Sequence, residues 1–282
     1  MLYFFLSIGF SVSILALFRK FEALKIDNLR AIWISYIISI VLASLSSLLL
    51  FGVPQAPQLH HLLMAAVLGI SFFFGFRAIA LCSQKVSVSA TSIAGNMSVV
   101  IPVFVAALLY HEKLNLLQWL GFTLAFPAIY LFFKQKNGFN IGSGLWIYPA
   151  ILLVISGFNN SVMRHAEKSE GLENPIFFLS MILVGAFVSS SSFNVVNKKF
   201  INFTKNEWIY GALLGLLNFA SSLFFLLCLK EFETAIFFPV YNLTYIGIAA
   251  VVGIWAFKEK YHWLNYMGLA LAAIAIALMN WK

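Results

Sequence analysis

Leu109-Tyr110-His111-Glu112-Lys113-Leu114-Asn115-Leu116-Leu117-Gln118-Trp119-Leu120-Gly121 and Ala256-Phe257-Lys258-Glu259-Lys260-Tyr261-His262-Trp263-Leu264-Asn265-Tyr266-Met267-Gly268 are the two stretches that decide how this chain folds. In each, an apolar run ends in Glu-Lys, a turn follows, and a Gly stands nine residues after the Glu. Glu112 and Glu259 are 147 positions apart, and so are Gly121 and Gly268. Gly69 and Gly215, Cys82 and Cys228, and Asn96 and Asn242 are each 146 apart. A near-constant offset of half the chain is the mark of an internal duplication. It says nothing by itself about function.

Composition sets the solvent. Of 282 residues 62% are hydrophobic, 10% are charged and 30 are Phe. No soluble domain hides that much apolar surface, and the apolar runs reach the ~20 residues that cross a bilayer core. The acidic residues Glu22, Asp27, Glu112, Glu167, Glu170, Glu173, Glu207, Glu231, Glu233 and Glu259 all fall between those runs. The chain therefore reads as a polytopic membrane protein with the lipid bilayer as its first partner. Its net charge of +8 is scattered over loops without a patch or aromatic-basic stripe, which excludes nucleic acid as a partner and fits loops anchored at the membrane surface. Two cysteines make no disulfide framework. The run from Leu2 to Leu17 has no Lys or Arg before Arg19 and no small-residue cleavage site, so it is expected to stay as a span.

Hydrophobic runs and their punctuation predict an all-α membrane protein of ten helices, at roughly 2–18, 30–51, 60–82, 88–110, 115–133, 144–165, 174–193, 208–229, 234–257 and 262–281. Short connections make successive helices antiparallel neighbours. The segment 135–143 is rich in Gly, Asn and Ser and forms the seam between a first copy, 1–134, and a second, 144–282. Five helices per copy is an odd number, so the second copy enters the membrane from the opposite side and the repeats are inverted. Secondary transporters often use this construction, because rocking one half against the other exposes a midplane site to each face in turn. Inversion puts Cys82 and Cys228 at opposite faces, ~30 Å apart, whereas a disulfide tolerates only ~7 Å between Cα atoms. The two are expected never to pair within one chain.

The odd-numbered connections carry Arg19, Lys20, Lys25, Arg30, Lys85, Lys134, Lys136, Lys198, Lys199, Lys205, Lys258 and Lys260. The even-numbered connections and the C-terminus carry Lys113, Arg164, Lys168, Lys230 and Lys282. By the positive-inside rule this bias places the odd connections in the cytoplasm and both termini outside.

Polar side chains within spans are the candidates for function, since hydrocarbon offers them no partner. The fourth predicted helix carries Ser89, Ser92 and Asn96 on one face, with Thr91, Gly95, Ser98 and Pro102 adjoining. The ninth carries Pro239, Tyr241, Asn242, Thr244 and Tyr245. The sixth has Ser156, Asn159 and Asn160, the eighth Asn218, Ser221 and Ser222, and the first Ser7 and Ser11. If these faces converge they enclose a cavity rich in amides and hydroxyls, with Pro102 and Pro239 freeing backbone groups nearby. The competing reading is that Ser, Thr and Asn bond helix to helix, at ~0.6–2 kcal/mol each. Arg77 is the one basic residue well inside a span. It either snorkels toward the interface or captures a solute carboxylate or phosphate. Glu112 and Glu259 stand where a carboxylate meets the positive end of the next helix.

Several chemistries are missing. His111-Glu112-Lys113-Leu114-Asn115 has Asn where a zinc-protease motif needs its second His, so no metal site is expected. There is no Gly-rich phosphate loop, no Gly-x-Ser-x-Gly elbow and no carboxylate pair, which argues against an enzyme and against a bound cofactor. No acid lies inside a span, so a proton relay on a buried carboxylate is not expected.

Ten spans in two inverted fives, with Glu at the turn after the fourth and ninth helices, resemble the EamA-like family of the drug/metabolite transporter superfamily. Its turn motif is matched by Glu112, Leu114, Gln118 and Gly121, and in the second copy by Glu259 and Gly268. The resemblance implies export or exchange of small metabolites, often amino acids and their relatives. It places the central cavity among the third, fourth, eighth and ninth helices, with the first and sixth contributing. Carried onto this chain, it points to Asn96, Asn242, Tyr241 and Asn159. Ser92, Asn218 and Arg77 join them from the polar faces above. The small multidrug exporters of the superfamily depend on a Glu in the first helix, and Leu2 to Leu17 has none. Family members keep both termini in the cytoplasm, against the charge count. The expected function is a secondary transporter of a small polar metabolite in a bacterial inner membrane. The alternatives are a phosphorylated-metabolite or nucleotide-sugar exchanger and a non-transporting scaffold. A homodimer is left open.

Overall fold

The computed structural model describes residues 2–54, 56–109, 115–133, 144–170, 174–200, 203–231 and 234–279. Among them are eleven α-helices: α1 (Leu2–Ala23), α2 (Asn28–Phe51), α3 (Leu59–Lys85), α4 (Val88–Met97), α5 (Val100–Leu109), α6 (Leu116–Phe133), α7 (Ile147–Glu170), α8 (Pro175–Val196), α9 (Lys205–Glu231), α10 (Thr234–Phe257) and α11 (Trp263–Met279). No strand occurs among the described residues. Six helices are long and apolar enough to cross a membrane: Leu2–Ala23, Asn28–Phe51, Leu59–Lys85, Pro175–Val196, Lys205–Cys228 and Val240–Phe257. Shorter apolar segments, Val88–Pro102, Leu116–Phe132, Ile147–Met163 and Trp263–Met279, supply the rest.

The helices begin where the local chemistry allows. Asp27 accepts from Leu29 N–H at 2.9 Å to start α2, and Asn174 accepts from Phe177 N–H at 2.9 Å with Pro175 in the first turn of α8. Thr204 and Glu207 form a reciprocal capping box on α9, and Asn115 and Gln118 form one on α6. In the second copy Asn265 stands where Gln118 stands in the first, and it too accepts from the backbone N–H three residues back, His262, at 2.7 Å.

The fourth predicted helix differs from expectation by being two pieces, α4 and α5, parted at Ser98-Val99. Pro102 has no N–H to give to the Ser98 carbonyl, and its ring crowds that carbonyl. Tighter three-residue bonds replace the missing one: Val99 N–H to Asn96 O at 3.3 Å, and Ile101 N–H to Ser98 O at 3.0 Å. Pro239 leaves α10 unbroken.

The repeat-matched glycines make matched contacts. A Cβ on Gly69 (α3) would lie 2.6 Å from Gly185 Cα of α8, and one on Gly215 (α9) would lie 2.8 Å from Ile38 Cβ of α2. Likewise a Cβ on Gly121 (α6) would lie 2.7 Å from the Ala275 carbonyl of α11, while one on Gly268 (α11) would lie 2.9 Å from the Ala128 carbonyl of α6. These seams bring backbones together as small residues do between membrane helices. Five apolar clusters occur among the described residues, two of them the largest. Phe18, Phe21, Ile32, Tyr36 and Phe73 fill one among α1, α2, α3, α8 and α9. Ile93, Met97, Ala128, Ala272 and Ile276 fill the other around the α6–α11 seam. Cys82 and Cys228 are buried, and neither is in a disulfide.

Candidate functional site

The bundle holds a cavity of about 350 Å³. Six helices wall it: α1 with Ser11, Ile14 and Leu15, α3 with Phe72, Gly75, Phe76 and Ile79, α4 with Thr91, Ser92, Gly95 and Asn96, α7 with Leu152, Ser156 and Asn159, α9 with Asn218, and α10 with Tyr241 and Tyr245. In the ten-span count these are the first, third, fourth, sixth, eighth and ninth helices. The volume is at the small end of ligand pockets, and the mix of aromatic walls with a few polar groups is typical of them.

The structure brings together Asn96, Tyr241, Asn159, Ser92 and Asn218 on this cavity and leaves two predicted residues off it. Asn242 does not line it. Tyr241 and Tyr245, one turn apart and stacked at 6.4 Å, take the cavity face of α10, and Asn242 is rotated about 100° from Tyr241. Arg77 does not line it either, because its guanidinium carbon lies over the Phe193 ring of α8 at 4.6 Å. That cation–π contact holds the charge away from the bundle centre. Tyr245 and Ser11 stood on the polar faces of the sequence reading. Phe72 and Phe76 did not, because nothing in a sequence with 30 Phe separates a lining ring from a core ring.

Each polar group on the wall has a local reason for its position. Ser7 Oγ donates to the Ser221 carbonyl at 3.0 Å, and the Tyr241 hydroxyl lies 2.9 Å from the same Ser7 oxygen. This chain of bonds ties α1, α9 and α10 under the cavity. Asn160 Nδ2 donates to Ser98 Oγ at 3.1 Å, which binds α7 to the break between α4 and α5. Asn159 Oδ1 is buried and has no hydrogen-bond partner. An acceptor left so is costly, and in native proteins it wants an explanation. No Lys, Arg, His, Asp or Glu lines the cavity, and no cluster of metal-ligating side chains occurs among the described residues.

Glu259 corrects one expectation. It does meet the positive end of a helix, but that helix is α4 of the other half of the chain, not α11. Its Oε1 accepts from Val88 N–H at 2.7 Å and its Oε2 from Ser89 Oγ at 2.6 Å, beside the Ser87 cap that accepts from Ala90 N–H at 3.0 Å. Tyr261 donates to Oε2 at 3.3 Å. Burial, opposed by a bond with Ser89 and reinforced by the Glu259 charge, pushes the Tyr261 hydroxyl above its usual range, so it keeps the proton it donates. The carboxylate thereby fixes the helix that carries Thr91, Ser92 and Asn96. Glu112 and its turn lie outside the described residues.

A multi-pass bundle of long apolar helices defines an integral membrane protein. Residues 1–134 match the model of the EamA-like transporter family, part of the drug/metabolite transporter superfamily. An uncharacterized protein of Haemophilus influenzae is 25% identical over 190 residues, 65% of this chain and 63% of that protein. A probable sugar phosphate/phosphate translocator of Arabidopsis thaliana is 21% identical over 148 residues, 48% of this chain and 36% of that protein. The chain thus spans less than two thirds of the length of either relative. A solved crystal structure superposes with a TM-score of 0.60 over 96% of both chains at 12% identity, which shows a shared fold.

Proposed function

We propose that this protein is a secondary transporter that moves a small polar metabolite, neutral or zwitterionic and amino-acid-like, out of the cell across a bacterial inner membrane. The observation that carries this reading is the cavity. It is walled by helices of both halves, is of solute size, and its described lining offers amides, hydroxyls, aromatic rings and aliphatic groups and no charge. A scaffold protein would have its polar faces packed shut. The two halves, 1–134 and 144–282 joined through 135–143, act as inverted repeats that rock about the cavity. The exchange of partners by matched glycines, α3 with α8 and α9 with α2, supports that symmetry. The name of the Arabidopsis relative raises sugar phosphates as cargo, but a doubly charged group needs cations and the described lining has none.

Flux in reconstituted vesicles, screened over amino acids, sugars and nucleotides with and without a pH gradient, tests the reading. Asn96→Ala is expected to cut flux at equal expression, and Asn242→Leu to leave it within about twofold, because only the first lines the cavity. Loss with Asn242→Leu and none with Asn96→Ala would move the site elsewhere.

A further inference from the structure

We infer that the cavity recognises its solute through a hydrogen-bond-donating amine, and that the carboxylate of an amino-acid-like solute is dispensable. This rests on the transport reading above and deepens it. Three donors on the α4 wall are already engaged within the chain. Thr91 Oγ1 donates to the Ser87 carbonyl at 2.7 Å, Ser92 Oγ to Ser89 O at 2.8 Å, and Asn96 Nδ2 to Ser92 O at 2.7 Å. A hydroxyl has one proton, so Thr91 and Ser92 have only lone pairs left to offer. Ser7 of α1 gives its proton to the Ser221 carbonyl, so the bond between Ser7 and Tyr241 of α10 takes its proton from Tyr241.

Beside these engaged groups stands an unmet acceptor. Asn159 Oδ1 is buried without a partner, and an N–H brought by a solute supplies what it lacks once the amide turns about its soft last torsion. The aromatic lining favours the same end of a solute, since rings such as those of Phe72, Phe76 and Tyr245 attract an ammonium placed over their faces. An anion finds no cation on the described lining, Arg77 being held over Phe193. The volume of about 350 Å³ suits a compact amine with one ring.

The test uses three probes with one phenethyl body: L-phenylalanine, with both groups; 2-phenylethylamine, with the amine alone; and 3-phenylpropionate, with the carboxylate alone. Binding to the purified full chain is read as a ligand-dependent rise in melting temperature, and flux is read in proteoliposomes. L-Phenylalanine and 2-phenylethylamine are expected to bind within about threefold of each other, and 3-phenylpropionate at least about tenfold more weakly. Asn159→Asp, which adds a negative charge at constant size, is expected to tighten 2-phenylethylamine about tenfold and to weaken 3-phenylpropionate further. Asn159→Leu is expected to erase the preference in a protein that still melts cooperatively. 3-Phenylpropionate binding as well as the amine, or an unchanged ratio in Asn159→Asp, overturns the inference. Flux of other solutes with no binding of any probe overturns it alone. Absence of flux across the whole panel, from protein that melts cooperatively, overturns the transport reading as well.

Discussion

Replacing Gly253 with Ala asks whether Glu259 truly holds the two halves together. A Cβ at position 253 would lie 2.5 Å from Ser89 Oγ, 2.8 Å from Glu259 Cδ and closer still to Glu259 Oε2, so those side chains must move. Moving them sacrifices the bonds that Glu259 accepts from Val88 N–H at 2.7 Å and Ser89 Oγ at 2.6 Å. Hydrogen bonds to a charged group contribute about 1.5–3 kcal/mol each, and the half-buried position of Glu259 takes each toward the lower end. Exchanging Gly for Ala inside a helix returns about 1 kcal/mol. The net expectation is a loss of about 1–3 kcal/mol. In a Glu259→Ala background the main obstacle is gone, so the same Gly253→Ala change is expected to be neutral or stabilising by up to about 1 kcal/mol. The coupling between the two positions is then about 2 kcal/mol. Equilibrium unfolding in mixed micelles of the four proteins measures it. Effects that add to within about 0.5 kcal/mol would refute the bridge.

Gly268→Ala is expected to destabilise the protein by about 1–3 kcal/mol, because the added carbon meets Phe132 Cα at 2.7 Å and backbone has little room to give. Gly247→Ala, in a helix with nothing within 4 Å, serves as the control and should be neutral or slightly stabilising in the same unfolding assay. Arg77→Ala should leave flux unchanged and cost about 0.5–1 kcal/mol of stability, the worth of its contact with Phe193. A selective loss of flux would instead place the guanidinium on the solute path. Oxidation of the purified monomer should trap no Cys82–Cys228 disulfide, checked by mobility on a non-reducing gel, since both thiols are buried at distant ends of their helices.

The class of this protein was legible from residue counts and spacing alone. Apolar runs with every acid confined to the punctuation demand a bilayer. The constant offset between Glu112 and Glu259, and between Gly121 and Gly268, raised the expectation of two copies. The break near Pro102 and the Asn115–Gln118 box also rest on local chemistry, but the hydrophobic runs did not mark them and the fourth helix was expected unbroken. The site was only half legible. Asn96 and Asn242 match across the repeat, yet Asn96 lines the cavity and Asn242 does not. Glu259 was readable as a carboxylate for a helix start, but not as one for α4, 171 residues away from its partner Val88.

Periodicity is a property of a single helix, and it tells which residues share a face. It does not tell which way that face is turned, because rotation about the axis is set by neighbours that pack against it. For α10 the stacked Tyr241 and Tyr245 and the Ser7 bond decided the rotation, and for α3 the ring of Phe193 decided where Arg77 pointed. Solvent preference and repeat number are written along the chain. The orientation of each polar side chain is written only in the contacts between chains of residues that the sequence keeps far apart.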